Sequence, residues 1–507
     1  MSEPVFTRAA RLAFVLTVLY AGAMFWIAPH PPMADLPQHA GQVALWRDLL
    51  AGQSPWAPLL RINYFTPYLM GYGLTLALSF VMPISAALKL LLMLAYYAFV
   101  FSCVVLRRHF HGDQRLDWLF IPGFFGLAYV WGLFSFLVAA PVGLIFVWMA
   151  DRYSKRPTIP SSIGLCCVGF ILFFSHALTF VFASAMGIAF VVLQLKGRWL
   201  KFFLTLLPYL PLGVLSITYV LVGSEEKTFV STVFPPGIAW GLDVRRLAVP
   251  AHIFGGYDLQ DAIFSGTATV LMFWAPRLLS STLNWREPTA FIPMGTVLLV
   301  WLAIPFYALQ TTFLYSRFAL FLLPFYALMF ARVTTPLGVT LSDGGQARIG
   351  QCMLAILCWL FLVGQTERLI HFAQESRDFE EVLAVASPEQ RALTMVFDSE
   401  SPAAKNPWTY LSYPLWYQAE KGGLVDFNFA WFSPQIVRYR NDQRPPVEPG
   451  WEYQMFNWIQ HQGWQYRYFF VRNTKPLPDD LFKNDQCHVA LLKSAGSWSI
   501  YEASRCQ

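Results

Sequence analysis

Long apolar stretches alternate with short polar connections along most of this chain. Blocks of roughly 20 residues are almost free of Asp, Glu, Lys and Arg, and that length lets a helix cross a hydrocarbon core about 30 Å thick. The pattern therefore predicts a polytopic bundle of membrane helices. The predicted segments are 10–28, 65–83, 85–106, 118–131, 133–150, 162–175, 177–194, 202–222, 263–276, 290–309, 313–332 and 348–366.

The first segment is predicted to be a retained span and not a signal peptide. Its apolar run continues past the small residues Ala21, Gly22 and Ala23 through the bulky residues 24–27. Basic residues favour the cytoplasmic side of a membrane, which places the outer loops at 29–64 and 223–262. The predicted cytoplasmic loops are 107–115, 152–156, 196–201, 277–286 and 332–348.

The segment count and the loop charges conflict in one place. Two full crossings within 65–106 would put Arg107 outside, and an even number of spans would leave the C-terminus inside. We therefore predict about eleven crossings, with one segment re-entrant and the C-terminus outside the membrane.

Two helix pairs are short for a full double crossing. Residues 118–150 and 162–194 each span 33 residues between basic loops, and two helices of about 16 residues rise only ~24 Å each. The turns at 131–136 and 175–178 should then lie below the outer surface. Polar turns at that depth are tolerated where they line a cavity, so we predict a cavity open to the outer face.

Residues 367–507 differ from the rest, with polar stretches and frequent Pro, Gly, Asn and Asp turns. We predict a first domain at 1–366 and a small C-terminal α/β extracytoplasmic domain at 367–507. A helix is expected near 368–384, followed by strands at 392–397, 466–471, 489–492 and 498–501.

Composition agrees with membrane embedding. The 507 residues are 56% hydrophobic and 13% charged, about half the charged fraction of a soluble enzyme. The net charge of +6 comes largely from connecting loops, so it indicates orientation and not a nucleic-acid partner. Cys487 and Cys506 flank the last predicted hairpin and are candidates for a disulfide, with two free thiols as the alternative.

The first outer loop carries the most informative polar residues. Asp35 follows the first span closely, and Pro37 suits the first turn of a helix that we expect to lie in the membrane interface. His39 would then lie one turn from Asp35 and could bond to it or share a metal with it. Asp35 is therefore a candidate general base, or alternatively the N-cap of that helix.

Three further regions offer candidate substrate-binding residues. His176 interrupts an apolar stretch, where a polar group is costly and often marks a site, although a satisfied core histidine is the alternative. Arg317 could hold a phosphate or extend to the interface. Arg245 and Arg246 could supply cations for a lipid phosphate or be solvated loop charges. The sequence contains no P-loop, GxGxxG, HExxH or CxxC pattern.

This combination resembles the GT-C superfamily of polytopic membrane glycosyltransferases, in particular bacterial members. The resemblance rests on an early Asp in an Asp-Leu-Pro-x-His setting, many spans and a C-terminal extracytoplasmic domain. Shorter segments also look similar: 132–137, 175–177, 316–318, 422–427 and 437–440. The chain departs from the more common pattern in having a single Asp where an acidic pair is usual.

The resemblance implies a hexosyl- or pentosyltransferase of glycan biosynthesis in the bacterial inner membrane. Its donor would be a polyprenyl-phosphate sugar and its acceptor a glycan, lipid or protein, with Asp35 as base or as partner of a divalent cation. A transporter or flippase of lipid-linked saccharides is one alternative, although no repeated halves are visible. A non-catalytic membrane protein with a glycan- or partner-binding C-terminal domain is the other.

Overall fold

The computed structural model describes residues 5–194, 197, 199–225, 237–240, 246–247, 249–255, 259–308, 311–332, 344–447 and 456–506. These residues form a mainly helical bundle with a small sheet-containing C-terminal region. The helices are α1 (Val5–Ala23), α2 (Leu36–Leu50), α3 (Leu69–Ser79), α4 (Ile84–His109), α5 (Leu127–Val130), α6 (Phe134–Lys155), α7 (Ile159–Ser175), α8 (Ala177–Gln194), α9 (Trp199–Thr205), α10 (Tyr209–Glu225), α11 (Leu259–Leu278), α12 (Ile292–Ala303), α13 (Leu322–Leu328), α14 (Gly345–Glu375), α15 (Arg377–Val385) and α16 (Trp416–Lys421).

Strands are short outside the C-terminal region. They are β1 (Leu60–Ile62), β2 (Ile238–Ala239), β3 (Thr282–Leu283), β4 (Tyr307–Ala308), β5 (Phe330–Ala331), β6 (Arg391–Val396), β7 (Leu424–Val425), β8 (Val437–Tyr439), β9 (Tyr468–Arg472), β10 (His488–Ala495) and β11 (Trp498–Ser504). A five-stranded sheet has the order β10-β11-β9-β6-β7, with β6 parallel to both of its neighbours and the other pairs antiparallel.

Within the described residues, five helices are long and apolar enough to cross a membrane, which is consistent with a membrane protein. A sixth crossing results if the pair Trp199–Thr205 and Tyr209–Val222, bent by 58°, is one span. The five are Arg8–Trp26, Ile84–His109, Phe134–Lys155, Ala177–Gln194 and Gly345–Val385.

The predicted number of about eleven crossings is therefore not supported. Several predicted segments fold into pieces too short to span a bilayer. The segment 118–131 contains a 3-10 helix at Pro122–Phe125 and only the four-residue α5, because Pro122 and Gly126 interrupt a continuous helix. In the segment 65–83, α3 has 11 residues and rises only ~17 Å.

Most of the predicted cytoplasmic loops meet at one end of the bundle, which we call the basic end. Arg11 donates to Gln114 across 3.0 Å, and His109 contacts Asp151 at 2.6 Å. Lys155 pairs with Glu287 at 3.1 Å. These contacts hold the loops after α4, α6 and α11 against the start of α1.

The first loop and the C-terminal region lie together at the other end, which we call the domain end. Strand β1 from the first loop pairs with β8, with Leu60 opposite Tyr439. His30 lies between Glu380 and Glu420, at 2.9 and 2.6 Å, and stacks on Trp416. Burial alone would lower the pKa of His30, but hydrogen bonds to the two carboxylates outweigh it and raise that pKa, so the pairing favours the charged imidazole.

The sequence suggested that helix α2 lies in the membrane interface, but in the structure α2 is buried inside the protein. Every residue from Leu36 to Trp46 is buried, and α2 packs against α16 of the C-terminal region. Gln42 Oε1 accepts a hydrogen bond of 2.9 Å from the backbone N–H of Val437. The helix is therefore a packed layer between the bundle and the C-terminal region.

Candidate functional site

A cavity of about 270 Å³ lies at the domain end, and we call it the Asp35 cavity. Its size is just below the usual range for small-molecule sites, about 300–1,000 Å³. The lining residues come from both parts of the chain: Asp35, Gln38, His39, Tyr68, Trp131, Leu133, Ser135, Phe136, His176, Thr311, Thr312, Phe313, Arg317, Leu411, Ser412, Phe427, Phe429, Phe432, Ser433, Pro434 and Gln435. The structure thus brings Asp35, His39, His176 and Arg317 to one cavity.

The backbone of Asp35 is held by the turn that precedes α6. Its N–H donates to the carbonyl of Trp131 across 3.0 Å, and the N–H of Ala34 donates to the carbonyl of Val130. Gly132 has φ +72°, and a Cβ there would lie 2.8 Å from the nitrogen of Asp35. Glycine is therefore required at this contact, both for its conformation and for its lack of a side chain.

The Asp35 side chain does not cap α2. Asp35 occupies the N-cap position, but its carboxyl makes no capping hydrogen bond and lines the cavity instead. Burial raises the pKa of Asp35 to about 7, with the nearby Arg317 guanidinium acting in the opposite direction. A carboxyl with this pKa exchanges protons readily at neutral pH, which is the property that a general base needs.

His39 lines the cavity and belongs to a chain of hydrogen bonds that leads away from it. Its Nδ1 lies 2.8 Å from the hydroxyl of Tyr72, and Tyr72 donates to Gln435 Oε1 across 2.6 Å. Burial lowers the pKa of His39 to about 3, although the Gly132 carbonyl acts against it, so the imidazole is neutral at pH 7. His39 therefore supplies hydrogen bonds and shape to the cavity and not a charge.

His176 forms the junction between α7 and α8. Its backbone is extended, and its Nδ1 lies 3.3 Å from the hydroxyl of Thr179. The ring packs between Tyr68 and Phe136, with centroid distances of 5.6 and 5.3 Å. The two turns that the sequence analysis placed below the surface, at 131–136 and 175–178, therefore both contribute residues to the Asp35 cavity.

Arg317 is buried and lines the cavity, so its side chain does not extend along the bundle surface. It donates to the backbone carbonyls of Thr312 and Phe313, at 2.6 and 3.1 Å. These bonds occupy two of the five N–H donors of a guanidinium and fix its direction. The arrangement places an oriented cation and a carboxyl in the lining of one cavity.

Arg246 is not among the residues that line the cavity. Its guanidinium is buried over the ring of Tyr315, and it donates to the carbonyls of Trp301 and Ile304. It therefore holds the end of α12 and does not take the substrate-binding position predicted for it. Arg245 lies outside the described residues.

The C-terminal region supplies a large part of the cavity wall, which the sequence analysis missed. The loop 427–435 contributes Phe429 and Gln435 among others, and the loop at 411–412 contributes Ser412, which accepts a hydrogen bond from Gln38. The aromatic run around Phe427 was visible in the sequence. Its position near Asp35 depends on the β1–β8 pairing, which joins segments almost 380 residues apart.

The described residues by themselves do not form a complete binding site for the divalent cation considered for Asp35 and His39. No group of three or more His, Cys, Asp or Glu side chains among them is placed to hold a metal ion. Asp35 is the one acidic residue in the described lining, whereas Mg²⁺ and Ca²⁺ take about six or more oxygen ligands. His39 Nδ1 is already engaged with Tyr72.

The sulfurs of Cys487 and Cys506 are bonded to each other, and the disulfide closes the hairpin of β10 and β11. It lies in the sheet and not at the cavity.

No protein-family model matches this chain, and no curated protein matches it.

Proposed function

We propose that this protein is a membrane glycosyltransferase of GT-C type that transfers one sugar from a polyprenyl-phosphate donor to an acceptor. The observation that carries the proposal is the convergence of Asp35 and Arg317 on one cavity at the domain end. A carboxyl with a pKa of about 7 suits proton abstraction from an acceptor hydroxyl. An oriented arginine suits the phosphate of the donor.

The proposed reaction uses these two residues. The acceptor oxygen attacks the anomeric carbon of the donor sugar while Asp35 takes the proton of the acceptor hydroxyl. The bond between the anomeric carbon and the phosphate oxygen breaks, and polyprenyl phosphate leaves. The positive charge of Arg317 stabilises the negative charge that develops on that phosphate.

The aromatic walls complete the site. Trp131 and Phe313 have ring centroids 4.6 Å apart, and both line the cavity. Flat apolar walls with a few fixed polar groups are typical of small-molecule sites. The cavity volume suits a single sugar unit more than an oligosaccharide.

A transfer assay tests the proposal directly. Membranes containing the protein are incubated with synthetic polyprenyl-phosphate hexoses and pentoses labelled in the sugar, and label is followed into other molecules. Transfer that depends on the protein, with release of polyprenyl phosphate, is expected. Movement of intact donor across the bilayer without cleavage would instead favour a flippase. If no donor is either cleaved or moved, the transferase proposal is rejected.

Arg317→Gln is expected to weaken binding of a synthetic polyprenyl-phosphate hexose by roughly 10- to 100-fold, because a hydrogen-bonded charge contributes about 1.5–3 kcal/mol. Arg317→Lys keeps the charge but loses the paired donors, so it should recover only part of the binding. Native mass spectrometry of the purified protein with the added donor measures both effects.

Arg440→Gln is the matched control, since Arg440 is an exposed arginine that directly follows β8 at the domain end. Equal binding by the Arg317→Gln protein and the control would remove Arg317 from the donor site.

We also propose that the domain end faces the periplasm of a bacterium and the basic end its cytoplasm, in the inner membrane. The positive-inside rule supports this orientation. The disulfide between Cys487 and Cys506 gives an independent test, because such bonds persist in oxidising compartments. Alkylation in intact cells, followed by peptide mapping without reduction, should recover the two cysteines cross-linked. Their recovery as alkylated thiols would place the domain end in the cytoplasm.

A further inference from the structure

A second cavity, of about 680 Å³, lies between α1 and α4 and is called here the α1–α4 groove. Val18 and Leu19 from α1 face Phe101 and Val104 from α4. Leu19 and Phe101 are 50% and 66% exposed. Because both helices are long and apolar enough to cross a membrane, these exposed walls open sideways towards lipid.

The groove becomes strongly basic at one end. Four arginines and one aspartate line that end: Arg11, Arg107, Arg108, Arg115 and Asp117. Arg107 pairs with Asp117 at 2.7 Å, and Arg115 pairs with Asp113 at 2.6 Å. Among the described residues at this end, four positive side chains outnumber two negative ones, and this excess of positive charge is complementary to an anion.

The groove is about as long as one leaflet of a bilayer. Arg107 and Tyr97 are ten residues apart on α4, which corresponds to ~15 Å and half of a ~30 Å core. The far end is closed, because Tyr97 donates to the carbonyl of Leu19 across 2.9 Å and its ring lies against Gly22. The groove therefore has room for a chain that enters from the basic end and stops near the middle of the membrane.

Trp118 stands beside the arginines, with its ring 5.7 Å from that of Phe14. Tryptophan is enriched at the level of lipid headgroups, and this position fits the boundary between an acyl chain and a phosphate. The Asp35 cavity is at the opposite end of α1, since Asp35 follows that helix and Arg11 is near its start.

We propose that the α1–α4 groove is a binding site for an anionic glycerophospholipid of the leaflet at the basic end. One acyl chain fills the apolar groove, and the phosphate lies against Arg11 and Arg108. A polyprenyl phosphate fits less well, because its chain is longer than the one leaflet that the groove provides. The site is separate from the transfer reaction and holds whether or not the protein is a transferase.

Native mass spectrometry of the full chain tests this site with two probes that share their acyl chains, phosphatidylglycerol and phosphatidylcholine. Each basic residue near a lipid headgroup contributes about fivefold to the binding of an anionic lipid. The wild-type protein should therefore retain phosphatidylglycerol about 25-fold better than phosphatidylcholine. Arg108→Gln should reduce that preference to about fivefold.

Arg8→Gln is the charge-matched control, because Arg8 lies on the same helix and does not line the groove. Val104→Trp tests the apolar part without a charge change and should weaken retention of both lipids. Leu12→Trp places the same side chain at an exposed position outside the groove and should leave retention unchanged.

Three results would overturn the proposal. Equal retention of the two lipids by the wild-type protein would mean that lipid binds this surface without preference for an anionic headgroup. Equal effects of Arg8→Gln and Arg108→Gln would remove the groove as the source of the preference. In the third, added polyprenyl phosphate displaces phosphatidylglycerol from the wild-type protein but not from the Arg108→Gln protein. That result would assign the groove to the isoprenoid lipid.

Discussion

Asp35→Asn is expected to lower the rate of sugar transfer by roughly 10²- to 10⁴-fold, the usual contribution of a general base. Asparagine has almost the same shape but cannot accept the proton of the acceptor hydroxyl. The folded state should tolerate the change well. The Asp35 carboxyl makes no capping hydrogen bond, and burial already disfavours its charged form.

The pH dependence of the wild-type rate gives a second measure of the same residue. A general base acts when it is deprotonated, and burial raises the pKa of Asp35 to about 7. The transfer rate should therefore fall about tenfold per pH unit below pH 7 and level off above it. The residual rate of the Asp35→Asn protein should lack this dependence.

Asp48→Asn is the matched control for this experiment. Asp48 lies on the same helix, α2, but contacts Arg47 near its far end and does not line the cavity. It should keep the wild-type rate and pH profile. Full transfer by the Asp35→Asn protein would exclude Asp35 as the base and leave the α2 N-terminus with a structural role.

Asp426→Asn is expected to have the largest effect on stability, about 3–5 kcal/mol, because it breaks a buried ion pair and leaves a cation behind. Asp426 is fully buried and accepts hydrogen bonds of 2.7 and 2.6 Å from Arg391. Tyr466 donates a third bond of 2.6 Å to the same carboxylate. The asparagine keeps the shape but not the charge.

Hydrogen exchange of the full chain measures this loss locally. Amides of β6 and β9 lie in the centre of the sheet beside Arg391, and their exchange should become roughly 10²- to 10⁴-fold faster. Glu502→Gln is the control in the same sheet, since Glu502 pairs with a half-exposed Arg467. An exposed pair contributes less than about 1 kcal/mol, so exchange should change by less than about tenfold. Equal effects of the two substitutions would mean that the buried pair does not stabilise the sheet.

The same substitution should also reduce transfer, because Asp426 anchors the loop that lines the Asp35 cavity. Its side chain fixes the start of that loop through Arg391 and Tyr466, and its backbone carbonyl accepts a hydrogen bond of 3.0 Å from Trp431 before the loop continues to Gln435. This connects the stability of the C-terminal region to the shape of the cavity.

Patterns over a few neighbouring residues were enough to predict the helices and strands that depend on those residues alone. Apolar blocks predicted helices such as α4 and α6. They did not predict the number of crossings. The segment 118–131, for example, is apolar enough to cross a membrane, but Pro122 and Gly126 interrupt its helix. Alternation predicted the strands β6, β9, β10 and β11 to within a few residues at most ends. The turn chemistry around Ala495 and Ser497 likewise placed Cys487 near Cys506.

The candidate site was predictable only in part. A polar residue in an apolar setting is costly, and this cost singled out His176 in the sequence, whereas Asp35 and Arg317 were candidates because they lie at the outer ends of apolar segments. Arg246 was a candidate as a cation of the outer loop 223–262, yet its guanidinium bonds to Trp301 and Ile304 away from the cavity. The cost of burial identifies a residue that needs partners but does not say whether those partners are a ligand or the protein itself.

The sequence alone determined that the chain has apolar helices able to cross a membrane, that a mixed helix and strand region follows them, and that Asp35 lies just after the first span. Only the tertiary structure decided whether the Asp35 carboxyl caps α2 or lines a cavity. Capping of α2 depends on the direction of one side chain. The Asp35 carboxyl makes no capping bond and lines a cavity whose wall includes the turn around Gly132 and the loop 427–435. Those contacts join residues far apart in the chain, and local propensity carries no information about such pairings.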